Sequence, residues 1–178
     1  MRSERQELRY VYEGWEGYNL SLIHAVRDLT FDQFAFRSVP GMRSVGELAW
    51  HIADGRVDWF QRISPERCAP LRNQIDLRNG QPPSHFSSES LAGWLQATWA
   101  MIDETIGQWT VDDLGETYSH VYHGHVYVVS RQWTIWRIMA HDIHHGGQLS
   151  ELLAMQDIFP TDLTLLGGHL TEPPKVAS

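Results

Sequence analysis

Apolar side chains return at steps of three and four along four separate stretches of this 178-residue chain, and that period commits each stretch to a helix with one face to bury. The first, about 3–29, carries Leu8, Val11, Tyr12, Trp15, Tyr18, Leu22, Ile23 and Val26 on its stripe and is weakened at Gly14 and Gly17. Pro40-Gly41 marks a turn, and Ser44-Val45-Gly46-Glu47 reads as a capping box opening a second helix that runs to about residue 63, where Ser64-Pro65 stops it. A third helix over about 88–109 places Leu91, Trp94, Leu95, Thr98, Met101, Ile102, Thr105 and Ile106 on one face, and a fourth spans about 131–155.

The segments between the helices differ in kind. Residues 64–87 hold Pro65, Pro70, Gly80, Pro82 and Pro83 and keep no helical period, so they are expected to form a long connection. Residues 117–130, β-branched and aromatic around Gly124, read as a short hairpin or extended segment before the last helix. The expectation is an all-α four-helix bundle with long connections, a single domain over 1–170, and a frayed tail over 171–178.

Charge and composition narrow the function. Twenty-two acidic residues against 14 basic ones give a net charge of −8, which repels phosphate backbones, so nucleic acid is not an expected partner. No run of ~18 apolar residues is present to span a membrane. The N-terminus is charged from Arg2 and has no apolar leader pattern, and the single cysteine, Cys68, forms neither a disulfide nor a thiolate cluster, so a cytoplasmic location is expected. Six tryptophans, Trp50, Trp59, Trp94, Trp99, Trp133 and Trp136, fall on expected helices, where core or interface packing is the ordinary role.

Ten histidines are the unusual feature. On the fourth helix Ile138, His141, His145, Gln148 and Leu152 follow the spacing of an interior stripe, and a His pair at i and i+4 can reach one divalent ion. His144 points about 60–100° away from both partners and is left out. The second helix offers His51 on its inward stripe, with space beside it at Gly55. Three neutral imidazoles leave a tetrahedral ion one open position, as catalytic sites do. Inward histidines satisfied by hydrogen bonds alone are the simpler alternative. The His-Glu-x-x-His, Cys-x-x-Cys and repeated Glu-x-x-His patterns of other metal sites are absent.

Other residues are candidates for supporting roles. Asp58, seven residues after His51, can orient a ligand or accept a proton; Asp54 is less well aligned. Gln148 can donate to a ligand or to a group behind one. His120, His123 and His125, interleaved with Tyr118, Tyr122 and Tyr127, read as a polar hairpin that can also line a pocket. Arg131 and Arg137 can attract an acidic co-substrate, although solvated arginines on a helix surface are common.

Glu47-Leu48-Ala49-Trp50-His51-Ile52-Ala53-Asp54, followed far downstream by His141-Asp142-Ile143-His144-His145-Gly146-Gly147-Gln148, resembles the DinB/YfiT-like superfamily over the whole chain. The resemblance implies an up-down-down-up bundle, often dimeric, with His51, His141 and His145 as ligands of a divalent metal. Zn or Ni is expected, with Fe, Mn or Cu also compatible with imidazoles. The family's motif carries Arg where this chain has Gly146. By resemblance the chain is a homodimeric enzyme that transfers or isomerises a low-molecular-weight thiol adduct of an electrophile, since a metal deprotonates a thiol of pKa ~8.5. The alternatives are a non-catalytic, stress-related binding bundle and a metal-assisted hydrolase. Because Cys68 lies in the proline-flanked connection, the sulfur is expected to come with the substrate.

Overall fold

The computed structural model describes residues 8, 11–74, 87–160 and 163, and over these the chain is mostly helical. Helix α1 spans Glu13–Val26, the short α2 Phe31–Ala35 and α3 Val45–Phe60. Helix α4 spans Pro65–Arg72, α5 Ser88–Ile106 and the short α6 Val111–Leu114. Strands β1 (Thr117–Tyr122) and β2 (His125–Ser130) lead into α7, Arg131–Ala154. The start of the first expected helix, residues 75–86 and the tail over 171–178 lie outside the described residues.

Local chemistry sets the helix starts. Ser44 Oγ accepts from the Glu47 amide at 3.2 Å while the Glu47 carboxylate accepts from the Ser44 amide at 2.8 Å, the reciprocal cap read from the sequence. The same pairing opens α2 at Thr30 and Gln33 and α5 at Ser87 and Ser90. Ser130 caps the amide of Trp133 at the start of α7.

Helix α4 corrects the expectation of an irregular connection from residue 64. Pro65 occupies the first turn, where its missing N–H costs nothing, and Cys68 is fully buried with its Sγ 3.3 Å from Met101 Sδ on α5. Eight residues are too few to display a period, and docking on α5 rather than local pattern makes this helix.

The hairpin forms as expected. His120 pairs with Tyr127 and Tyr122 with His125 across an antiparallel ladder, and His123 and Gly124 both take positive φ (47° and 77°) in a two-residue turn matched to strand twist. One face carries Tyr118, His120, Tyr122, His125, Tyr127 and Val129; the other presents Val121, Val126 and Val128 to solvent.

Helix α3 is central: it packs against α5 and α7, while α1 packs against α5. Leu22, Ile52, Phe60, Leu91, Leu95, Ile102, Ile135, Ile138 and Leu149 are fully buried among them, each contributing roughly 1.5–3 kcal/mol. No helix among the described residues is long and apolar enough to cross a membrane.

Candidate metal centre

Helices α3 and α7 run antiparallel along their contact: His51 faces His141 and His145, and eight residues further along α3 Trp59 meets Trp133, eight residues before His141. The three imidazoles read from the sequence therefore meet. Their ring centroids lie 4.9 Å (His51–His141), 4.7 Å (His51–His145) and 4.4 Å (His141–His145) apart, and one nitrogen from each lies within 4.8 Å of the others. His51 Nε2 and His141 Nε2 are 3.3 Å apart, close to the ~3.3–3.4 Å edge of a tetrahedron with ~2.0–2.1 Å metal–nitrogen bonds.

The surroundings fit neutral imidazoles with their Nε2 atoms free. Burial first, then the charge of Arg43 and the other two imidazoles, pulls the His51 pKa down to about 4. Burial also lowers that of His145, against the opposing effect of the hydrogen bond that Gln148 Oε1 accepts from it. Gln148 Oε1 lies 2.7 Å from His145 Nδ1 and can accept a hydrogen bond from its N–H, which leaves Nε2 for a metal. His141 Nδ1 is buried without a hydrogen-bond partner and faces Asp142 Oδ1, also unpartnered, at 3.8 Å. A carboxylate on the far side of a ligating imidazole is the usual means of orienting it, so the residues present fit a divalent ion.

Space as well as charge positions His141. A Cβ on Gly55 would lie 2.6 Å from His141 Cε1, so the gap expected beside His51 is the seat of the partner imidazole. Behind it lies a network that sequence reasoning missed. Arg56 and Asp142 are fully buried and paired, Nε to Oδ2, at 2.8 Å. Trp15 Nε1 donates to the same Oδ2 at 2.9 Å, and Arg56 Nη1 donates to Asn19 Oδ1 at 2.7 Å and to the Leu95 carbonyl at 3.2 Å. One ion pair thus ties α1, α3, α5 and α7 together directly behind the histidines. The signal was present in the sequence: Arg56 follows Ile52, and Asp142 follows Ile138, at the four-residue step of a buried stripe.

The supporting candidates are placed differently from one another. Gln148 is exposed rather than interior, because the buried face of α7 centres on Ile135, Ile138, Asp142 and Leu149 and the histidines sit on its shoulder. It still reaches His145. The Asp58 carboxylate is half exposed and held by Arg62 at 3.1 Å and by Gln61 at 3.1 Å, two turns from His51. Asp54, one turn from His51, is the carboxyl group nearer the cluster: burial, then Asp58, raises its pKa to about 6, His141 opposes the shift, and its Oδ1 is buried without a hydrogen-bond partner. His144 is exposed beside Gln148, outside the cluster. A pocket of about 580 Å³ lined by Arg43, Leu48, His145, Gln148 and Glu151 adjoins the histidines.

The sequence model of the DinB superfamily matches residues 21–149, which include all three histidines. The chain belongs to the DinB superfamily. Its fold is similar to two solved DinB-like proteins. The one from Bacillus subtilis is 17% identical, with a TM-score of 0.60 over 83% of this chain and 92% of that one. The one from Bacillus cereus is 19% identical, with a TM-score of 0.60 over 82% and 89%. No curated protein matches the sequence. At Gly146 a Cβ would run into Tyr18 Oη, and Leu22 lies just beyond. The phenol of α1 fills the place of a side chain on α7, and its hydroxyl donates to the Ile143 carbonyl at 3.3 Å.

Proposed function

We propose that this DinB-superfamily chain is a metal-dependent enzyme that transfers or rearranges a small thiol adduct of an electrophile, with His51, His141 and His145 as the protein's metal ligands in an up-down-down-up bundle. The observation that carries this reading is a cluster of three imidazoles, those of His51 and His145 with pKa lowered chiefly by burial, beside a pocket of about 580 Å³. Among the described residues no fourth histidine, cysteine or carboxylate joins them. A divalent ion held there would supply a Lewis acid that lowers the pKa of a thiol or water brought to its open position.

The chain's own groups divide the remaining work. Gln148 holds the His145 imidazole through its Nδ1, and the Asp142 carboxylate faces Nδ1 of His141 at 3.8 Å. Arg43 lines the pocket and gives an anionic co-substrate a counter-charge. Asp54, with a pKa of about 6, is suited to exchange a proton near neutrality. Cys68 is unsuited to serve as the sulfur, because burial pushes its thiol up to about 12 and it is fully buried against Met101.

The deciding experiment loads the purified protein with Zn or Ni and follows consumption of a model electrophile across a panel of low-molecular-weight thiols. Metal-dependent turnover with one thiol, abolished in His141→Ala, is expected. Metal binding with no turnover for any thiol or for water would make the bundle a binding protein.

A further inference from the structure

Twelve ångströms or so along the same α3–α7 seam, at ~1.5 Å per residue, the side chains change from imidazoles to larger rings around a second, smaller cavity. Its volume is about 240 Å³, and it is lined by His120, Tyr122, Tyr127, Val129, Trp133 and Arg137. The hairpin supplies one wall through one face of its ladder, and Trp59 packs against two of the lining rings: its ring centroid lies 5.2 Å from His120 and 5.9 Å from Trp133. His120 and Trp133 are themselves 5.9 Å apart, so the three rings form a triangle.

Two guanidinium groups stand over Trp59, and they are not equivalent. Arg62, 4.4 Å from the ring centroid, is neutralised by Asp58 at 3.1 Å. Arg137, 4.5 Å from Trp59 and 5.7 Å from Trp133, has no hydrogen bond or ion pair with any described residue. In a chain of net charge −8, this leaves one uncompensated planar cation facing a cavity walled by flat rings. Arg131 shows the contrast: it stacks on Trp109 at 4.5 Å but also pairs with Glu116 at 2.8 Å.

We propose that this cavity is a binding site for a flat, conjugated ring bearing a carboxylate. The guanidinium fork of Arg137 matches a carboxylate in two parallel hydrogen bonds, and Trp133, Tyr122 and Tyr127 present faces and edges to the ring. The volume falls below the ~300–1,000 Å³ of sites for drug-sized ligands, so it suits a single ring with a short substituent. The site does not depend on the metal reading, since none of its lining residues is a metal ligand.

Benzoate titrated onto the full-length, metal-free protein is the test, followed by calorimetry and saturation-transfer NMR, with cyclohexanecarboxylate and benzylamine as controls for ring and charge. Benzoate should bind saturably and at least tenfold tighter than either control. Arg137→Gln and Trp133→Leu should each weaken it at least tenfold, while His145→Ala and Arg43→Gln leave it unchanged. Arg137 and Trp133 are exposed enough that both variants should keep the wild-type circular dichroism. Absence of saturable benzoate binding, equal binding of benzylamine, or an unchanged affinity in Arg137→Gln overturns the proposal. Loss of binding in His145→Ala or Arg43→Gln also overturns it, by moving the probe to the pocket beside the histidines.

Discussion

Gly55 and His141 occupy one space: a Cβ added to the glycine would lie 2.6 Å from the imidazole Cε1. Ala is favoured over Gly in a helix by ~1 kcal/mol, so Gly55→Ala should keep α3 intact and push His141 out of place. Metal affinity should fall at least tenfold with helicity unchanged, measured by competition against a chelator and by circular dichroism. An unaltered affinity would show that the imidazole finds its position without this contact.

The Arg56–Asp142 pair predicts a strongly non-additive cycle. Arg56→Met strands a carboxylate in the core and should lower unfolding free energy by ~3–5 kcal/mol, as removal of one partner of a buried pair does. Adding Asp142→Leu should restore at least half of that loss, because both charges are then gone. Denaturant titration of the two single variants and the double variant measures the coupling. Simple addition of the two single effects would mean that the charges do not act as a pair.

Acid stability of the metal-free protein should reflect two opposed titrations. His51 has a native pKa of about 4 against the ordinary 6.5, so the unfolded chain binds more protons between those values and stability falls as pH drops through that window. Asp54 has a native pKa of about 6 against 3.8, so there the native state binds more protons and gains stability as pH drops. Asp54→Asn removes the second effect alone. Wild type should gain on the variant steadily from pH 7 to pH 4.5 in parallel denaturation series. A difference independent of pH would contradict the raised Asp54 pKa.

Cys68 should behave as a packing residue. With its thiol pushed up to about 12 and its side chain fully buried, it should not react with a thiol reagent until the protein is unfolded. Cys68→Ala should keep any thiol-transfer activity. Loss of that activity with metal still bound would assign the sulfur to the protein.

How far the sequence carried the reading follows from which interactions are local. The Ser44–Glu47 cap, the starts of α5 and α7 and the His123-Gly124 turn rest on neighbouring residues, and each lies where the pattern put it. The His141–His145 pair was legible because one helical turn separates them, and His51 because its stripe faced inward. Helix α4 was not legible, since Pro65 and Pro70 suggested a loop and only contact with α5 reveals the helix. Gln148 was misplaced because a 3-4 stripe of plausible residues ran about one position away from the true buried face, which passes through Asp142. A charged residue reads as surface until its partner, 86 positions away at Arg56, is known.

That partner gives the seam an unusual indivisibility. Gly55-Arg56 on one helix and His141-Asp142 on the other are two dipeptides, and in each one residue shapes the histidine cluster while its neighbour locks the helices. Sliding α7 by one turn, ~5.4 Å, would separate the locked charges at the same moment as it dispersed the imidazoles. The placement of the candidate metal ligands and the cohesion of the core are therefore a single mechanical property, and neither can be altered along this seam without the other registering it.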